Sequence, residues 1–273
     1  MSVQREVPEH EVIEFAPRKH KYCVAVFVLN ENGRLQKQLE RMRMLTDQID
    51  IVIADGGSSD GCTEHGLLQD FRVNTLLIKR GPGKLGSQMR MAFAWAMDRG
   101  YEGVVVVDGN NKDSVENVPD FISKLEEGYD HVQGSRYLPG GHHENTPLIR
   151  HLGVRLLHAP LLKLASGFRY TDTTNGFRAY SRKLLNDERI DLFRDVFSGY
   201  ELHYYLACYA PYYKMKCIEI PVSRRYPKTG KTPTKIKGIK GNLTVLRSLF
   251  AVCIGRYKTK RPESHATDRH ACR

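Results

Sequence analysis

The chain has 273 residues, 41% of them hydrophobic and 27% charged, a composition that excludes a disordered or fibrous protein and allows one substantial core. A formal net charge of +11 points to an anionic partner, either a phosphorylated ligand or an acidic membrane surface. Nucleic acid is set aside, because the basic residues are not interleaved with an aromatic platform. Six cysteines without CxxC spacing argue against a zinc site and against a disulfide framework, and fit a reducing, cytoplasmic compartment.

Residues 1–20 read as a mobile polar arm without the apolar stretch of a secretory leader. Tyr22–Leu29 is the first predicted strand, Asn30–Gly33 a turn, and Leu35, Leu39 and Met42 lie at helical spacing behind it. Asp50–Ala54 and Thr75–Ile78 are the second and third strands. Gly83–Ser87 opens a helix carrying Met89, Phe93 and Ala96, which stops at Gly100. Gly103-Val-Val-Val-Val-Asp108 is a continuous apolar run of the kind that forms a central parallel strand. Asp113-Ser114-Val115-Glu116 reads as a capping box ahead of a helix with Val118, Ile122 and Leu125.

Strand–helix alternation of this kind predicts a doubly wound α/β domain with a mostly parallel sheet. The second half is less regular: a strand at Asp130–Gly134, a Gly-Gly loop, helices around 148–165 and 199–210, and a short strand at Ile218–Val222. His142, His143, His151 and His158 show no metal spacing and read as loop or surface residues. Residues 236–258 are basic and then apolar. The stretch Leu243–Ile254 is shorter than a bilayer span and contains Arg247, so it either lies on a membrane surface or packs back onto the sheet. Residues 259–273 form a basic tail expected to be disordered.

Two predicted strands end on acids, at Asp55 and Asp108, and ligands of open α/β sheets bind beyond the carboxyl ends of strands. Gly56 and Gly57 would let a ligand approach the backbone closely, although Gly56–Gly61 also reads as a plain turn in which Asp60 satisfies its own backbone. Asp108 either serves a ligand or caps the turn that follows it.

Four motifs occur in order. They are Asn30-Glu31, Asp55-Gly-Gly-Ser-Ser-Asp-Gly61, Gly134-Ser-Arg-Tyr137 with Gly140-Gly141, and Asp172-Thr-Thr-Asn-Gly-Phe-Arg-Ala-Tyr180. Together, over roughly residues 22–235, they resemble the family-2 glycosyltransferases of GT-A fold, most closely the dolichol-phosphate mannosyltransferase-like branch that acts on polyprenyl phosphates. The resemblance implies a GT-A domain over 21–235, with a Rossmann-like, mostly parallel sheet flanked by helices and an irregular acceptor-side second half. It implies a hexosyltransferase that moves a sugar from a nucleotide-diphosphate sugar to a lipid phosphate with inversion, on the cytoplasmic membrane face as a peripheral protein.

By the same resemblance, Asp55 contacts the base or ribose of the donor, Asn30 and Glu31 line that pocket, and Lys84 serves the diphosphate from a glycine-containing loop before a helix. Asp108 falls on the first acid of the Asp-x-Asp motif that holds Mg2+ or Mn2+. Asn110 replaces the second acid and offers an oxygen without charge, so metal affinity falls unless Asp113 or the donor phosphates compensate. Lys112 could instead neutralise phosphate directly. Arg136, Arg150 and Arg178 fall on the acceptor side, and Arg225 and Lys231 in a late basic loop that closes over phosphate; arginine suits bidentate phosphate recognition. A phosphate acceptor is already ionised near neutral pH, whereas a hydroxyl acceptor needs a general base, for which Glu201 is the candidate unless it merely pairs a cation. Two alternatives keep the donor site: transfer to a saccharide hydroxyl, or nucleotide-sugar binding without catalysis.

Overall fold

A computed structural model describes residues 5–145, 153–226 and 238–259. Arg150, His151, Lys231 and Lys235 lie outside the described residues. The sheet is built on two strands buried on both faces, β2 (Tyr22–Val28) and β5 (Gly103–Asp108). Their residues alternate between two cores: Cys23, Ala25, Val104 and Val106 face one side, Val24, Val26, Val105 and Val107 the other. A fully buried valine contributes about 1.5–3 kcal/mol. A run of β-branched residues therefore has no better place than a central strand.

With β1 (His10–Glu14), β3 (Asp50–Asp55), β4 (Thr75–Lys79), β6 (His131–Ser135), β8 (Arg178–Ser181) and β9 (Cys217–Pro221), the sheet runs β1-β4-β3-β2-β5-β8-β6-β9. The block β4-β3-β2-β5 is parallel, and β8 runs antiparallel to both β5 and β6. The chain moves outward from β2 through β3 and β4, then returns to the other side of β2 as β5. That reversal opens a crevice at the carboxyl ends of β2, β3 and β5, where Asp55 and Asp108 stand. A small second sheet pairs β7 (His142–Glu144) with β10 (Ser223–Arg225) in parallel.

Helices cover both faces. On one lie α1 (Arg34–Met42), α2 (His65–Asp70) and α4 (Val118–Glu126); α1 buries Leu35, Leu39 and Met42 as their spacing predicts. The other face carries α3 (Leu85–Asp98), whose residues 86–97 are all buried, and a cluster of α5 (Ala159–Ser166), α7 (Glu201–Tyr212) and α8 (Gly238–Cys253). The short α6 (Arg182–Leu185) follows β8.

Several expectations need correction. His10–Glu14 is not a mobile arm but an edge strand antiparallel to β4, and it covers backbone groups that β4 would otherwise leave unpaired. The capping box does not form: the helix starts at Val118 with a proline in its first turn, and the Asp113 carboxylate is taken by Arg224. His158 is not a surface residue; it lies 7% exposed at the end of a π-helical turn, Val154–His158, leading into α5. The strand β8 was not anticipated, since four residues carry too little pattern to read. Of the two alternatives for 236–258, packing back onto the core is seen in α8: Val245, Leu249 and Val252 are buried there, while Leu243 and Phe250 on the same helix, and Ile254 just after it, are exposed. No helix among the described residues is long and apolar enough to cross a membrane.

Candidate active site

The loops after β2 and β3 form one knitted pad. Asp55, 1% exposed, accepts hydrogen bonds from Ser58 N at 2.9 Å and from Ser58 Oγ at 2.5 Å. Ser58 Oγ accepts from Asn30 N at 2.9 Å, and Asn30 Oδ1 accepts from Ser59 N at 2.8 Å. Asp60 accepts from Asn32 N at 2.8 Å and from Cys62 N at 3.1 Å, so the turn reading of Gly56–Gly61 is correct for Asp60. Glu31 is buried and paired with Arg34 at 2.7 Å. Sequence reasoning missed Gln88: from the first turns of α3 its amide donates to Val28 O at 2.9 Å and also to Ala54 O, tying the helix to two strand ends. The only signal was a polar residue inside a helix buried all round.

On the other side of the crevice, Asp108 keeps 32% side-chain exposure. Arg224 Nη2 donates to Asp108 Oδ2 at 3.1 Å, while its Nη1 donates to both Asp113 oxygens, at 2.7 and 2.5 Å. Asn110 Nδ2 donates to Asp108 Oδ2 at 3.2 Å, and its buried Oδ1 has no partner among the described residues. Gly176 backs onto the same carboxylate, since a Cβ there would sit 3.4 Å from Asp108 Oδ1. Arg41, another residue missed in the sequence, holds the 111–116 loop through Asn111 Oδ1, Asp113 O and Glu116.

The electrostatics follow from this crowding. Burial raises the Asp108 carboxyl, but Arg224 and Lys112 outweigh it and hold the group below its ordinary value. Asp113 goes the other way: burial and the nearby Asp108 push it up against the pull of Arg224. Burial and Arg224 depress Lys112, whose ammonium lies 5.2 Å from the centre of the Tyr226 ring. His203, on α7, is pushed down to about 3 by burial and Arg178, with Asp108 acting in the opposite sense, so its buried ring is neutral.

Two expected acceptor ligands have other work. Arg136, 2% exposed, is bound by Asp172 at 2.7 and 2.9 Å and by Thr174 Oγ1 at 2.9 Å. Arg178, 1% exposed, donates to the carbonyls of Thr173, Asn175 and His203. Both guanidiniums tie down the 171–178 loop from inside. Glu219 on β9 supports the same loop by accepting from Thr171 N, Thr171 Oγ1 and Asp172 N, and burial pushes its carboxyl up to about 7. Arg225 is exposed and pairs with Glu144 at 3.2 Å. Glu201 accepts from Gly199 N at the start of α7. Lys84 is exposed at the N-terminus of α3, in a loop leaning on Ser198, whose carbonyl accepts from Lys84 N at 2.8 Å. The structure therefore brings Asp55, Asn30 and Glu31 together on one side and Asp108 and Asn110 on the other, and buries Arg136 and Arg178 against the 171–178 loop.

A divalent cation was expected at Asp108 and Asn110. Among the described residues no cluster of three or more His, Cys, Asp or Glu could hold a metal ion. One carboxylate and one unpartnered amide oxygen nevertheless fit an edge of a hard-cation shell, with the other positions left to phosphate and water.

Comparison with known proteins gives this geometry a family. Residues 23–189 match the sequence profile described as Glycosyl transferase family 2. Polyprenol monophosphomannose synthase of Mycolicibacterium smegmatis is 28% identical over 204 residues, covering 73% of this chain and 76% of that protein. Dolichyl-phosphate hexose transferase of Haloferax volcanii is 27% identical over 241 residues, 85% of this chain and 93% of the other. Glucosyl-3-phosphoglycerate synthase of Mycobacterium tuberculosis, crystallised with Mn2+, uridine diphosphate and phosphoglyceric acid, superposes with a TM-score of 0.63 at 16% identity, covering 86% of this chain and 78% of that one. Another crystal of that enzyme holds Mg2+ and uridine diphosphate. At that identity the likeness is one of fold. The profile spans well over half of the chain and takes in Asn30, Asp55 and Asp108; the chain belongs to glycosyl transferase family 2 and is a glycosyltransferase of GT-A fold.

Proposed function

We propose that this enzyme transfers one hexosyl unit from a nucleoside-diphosphate sugar to the phosphate of a polyprenyl-type lipid, with inversion at the anomeric carbon. The observation that carries the reading is Asp108: it is the acid at the switch point that stays open to a ligand, and it is flanked by buried cations. The relatives named above, which are named for polyprenol and dolichyl-phosphate sugar transfer, support the acceptor class.

In this reading Asp55, with Asn30 and Glu31, forms the platform for the nucleoside, and Lys84 meets the diphosphate at the start of α3. A divalent ion, Mg2+ or Mn2+, would be held by Asp108 and Asn110 and would supply countercharge to the departing diphosphate. An oxygen of the lipid phosphate forms the new bond to the anomeric carbon from the opposite face. The bond from that carbon to the diphosphate breaks, and its electron pair leaves with the nucleoside diphosphate. The nucleophile arrives ionised, so no strong base is required. That agrees with Glu201, whose carboxylate is engaged by its own helix start. Arg225, with Arg150 and Lys231 from the segments outside the described residues, is the acceptor-phosphate set left once Arg136 and Arg178 are assigned to the loop.

A lipid acceptor also gives a use to the apolar surface of the C-terminal helices. Leu243 and Phe250 on α8, Ile254 just after it and Leu164 on α5 are exposed, with Arg247, Arg256 and Lys163 also exposed in these segments. An apolar face rimmed by cations suits the surface of an anionic bilayer, and supports peripheral attachment.

Purified protein should move label from GDP-mannose or UDP-glucose into undecaprenyl phosphate, and not into undecaprenol, with inverted anomeric configuration by NMR. Transfer to free saccharides with none to the lipid phosphate would replace this reading with the hydroxyl-acceptor one.

A further inference from the structure

Arg224 stands apart from the other basic residues of its segment. Its neighbour Arg225 is exposed and meets Glu144, whereas Arg224 is 6% exposed and is bound by two carboxylates. Asp113 takes one end of the guanidinium through both oxygens, which leaves Nη2 directed at Asp108. The backbone fixes the placement as well. Ser114 N donates to Ser223 O at 3.0 Å, Ser223 N to Ser114 Oγ at 2.9 Å and Arg225 N to Lys112 O at 2.9 Å, so residues 112–114 and 223–225 are laced together.

The charges make this placement informative. Two acidic side chains, Asp108 and Asp113, are set against two basic ones, Arg224 and Lys112, so acids and bases balance in number within the cluster before any ligand arrives. An acid at position 110 would tip that balance by one negative charge, which favours a dication. With Asn110 that incentive is gone, and one Asp108 oxygen already faces a guanidinium. Preorganised, largely buried charges act on a ligand more strongly than the same charges in solvent, and they need no reorganisation.

We propose that Arg224, locked by Asp113, is a built-in cation of the donor diphosphate subsite, standing in for much of the charge that the metal motif lost at Asn110. Nucleoside diphosphate binding then persists without a divalent ion. This rests on the donor-site reading above and specifies which group of the chain meets the diphosphate.

The test is calorimetric titration of UDP and GDP into the folded protein in Mg2+ or in EDTA, a binding readout independent of turnover. In the unmodified protein, chelation should weaken the bound nucleotide by less than tenfold. Asn110→Asp should widen that gap beyond tenfold by restoring demand for a metal. The pair Asp113→Asn with Arg224→Gln removes both charges while keeping polar side chains, and should lose binding in EDTA while retaining it within tenfold in Mg2+. If that pair does not fold, Asn110→Asp and Arg224→Lys, which keeps the charge and metal-free binding, carry the test. Loss of all binding to the unmodified protein in EDTA alone overturns the proposal and leaves the donor site intact. Binding by the double variant in EDTA equal to that of the unmodified protein overturns it too. No binding of either nucleotide in either condition overturns the donor-site reading itself, and the proposal with it.

Discussion

Asp172 and Arg136 are both withdrawn from water, at 0% and 2% exposure, and are joined by two charge-assisted hydrogen bonds. Such a pair is costly to break from one side, because the survivor is left as an uncompensated buried charge, typically at about 3–5 kcal/mol. Arg136→Ala is therefore expected to lose stability by about that amount in urea unfolding, and to recover most of it when combined with Asp172→Leu. A role in gripping the acceptor predicts the reverse pattern: near-normal stability with a raised KM for the lipid, and no rescue. The arginines also mark where sequence reasoning stops at this scale. Residue type and motif place Arg136 and Arg178 near the acceptor side, but a guanidinium binds a carboxylate, three carbonyls or a phosphate equally well. Which of these surrounds it is decided by residues far away in the chain, as Arg178 and the His203 carbonyl illustrate.

At the scale of elements, the crevice depends on how closely α3 can approach the segment before α7. A Cβ on Gly86 would lie 2.6 Å from Phe197 O and 2.7 Å from Gly199 O, both backbone atoms that cannot swing aside. Gly86→Ala should push the two elements apart at a cost of about 1–3 kcal/mol, the usual range for overpacking. Because Lys84 and Glu201 flank that contact, donor KM should rise as well. Denaturant melts and initial-rate kinetics check both, and an alanine variant with unchanged stability would show that the contact is not tight. The helix itself was legible from Met89, Phe93 and Ala96. The approach was not, because a glycine in a helix pattern says only that something comes near.

At the scale of the whole molecule, the helices packed on one face of the sheet bury two histidines, His158 and His203, that must stay neutral. Burial pushes His158 down to about 4 and, with help from Arg178, pushes His203 down to about 3, from an ordinary 6.5. Between those values and 6.5 the unfolded chain holds protons that the fold does not, so their contribution to stability is full above 6.5 and is lost as pH falls toward 4. His158, whose buried Nδ1 has no partner among the described residues, isolates the effect. His158→Phe should fold at neutral pH and flatten the acid side of the stability profile by up to ~1.4 kcal/mol per pH unit. Identical slopes for the two proteins, by thermal melts from pH 7 to 4.5, would refute the burial argument for this ring.

The local pattern of the chain determined the central sheet, the helices that alternate with it, and the two acids at strand ends. Each of these depends on a run of apolar residues long enough to bury only one way. It also determined the family, because four short motifs in order constrain one another far more than any one of them alone. Tertiary structure decided the rest. It turned His10–Glu14 into an edge strand, inserted β8 between β5 and β6, and drew Arg224 from a segment more than a hundred residues away onto Asp108 and Asp113. The physical reason is one of range: burial along a strand or helix is written in neighbouring residues, whereas the partner of a charge is set by whatever the completed fold brings beside it.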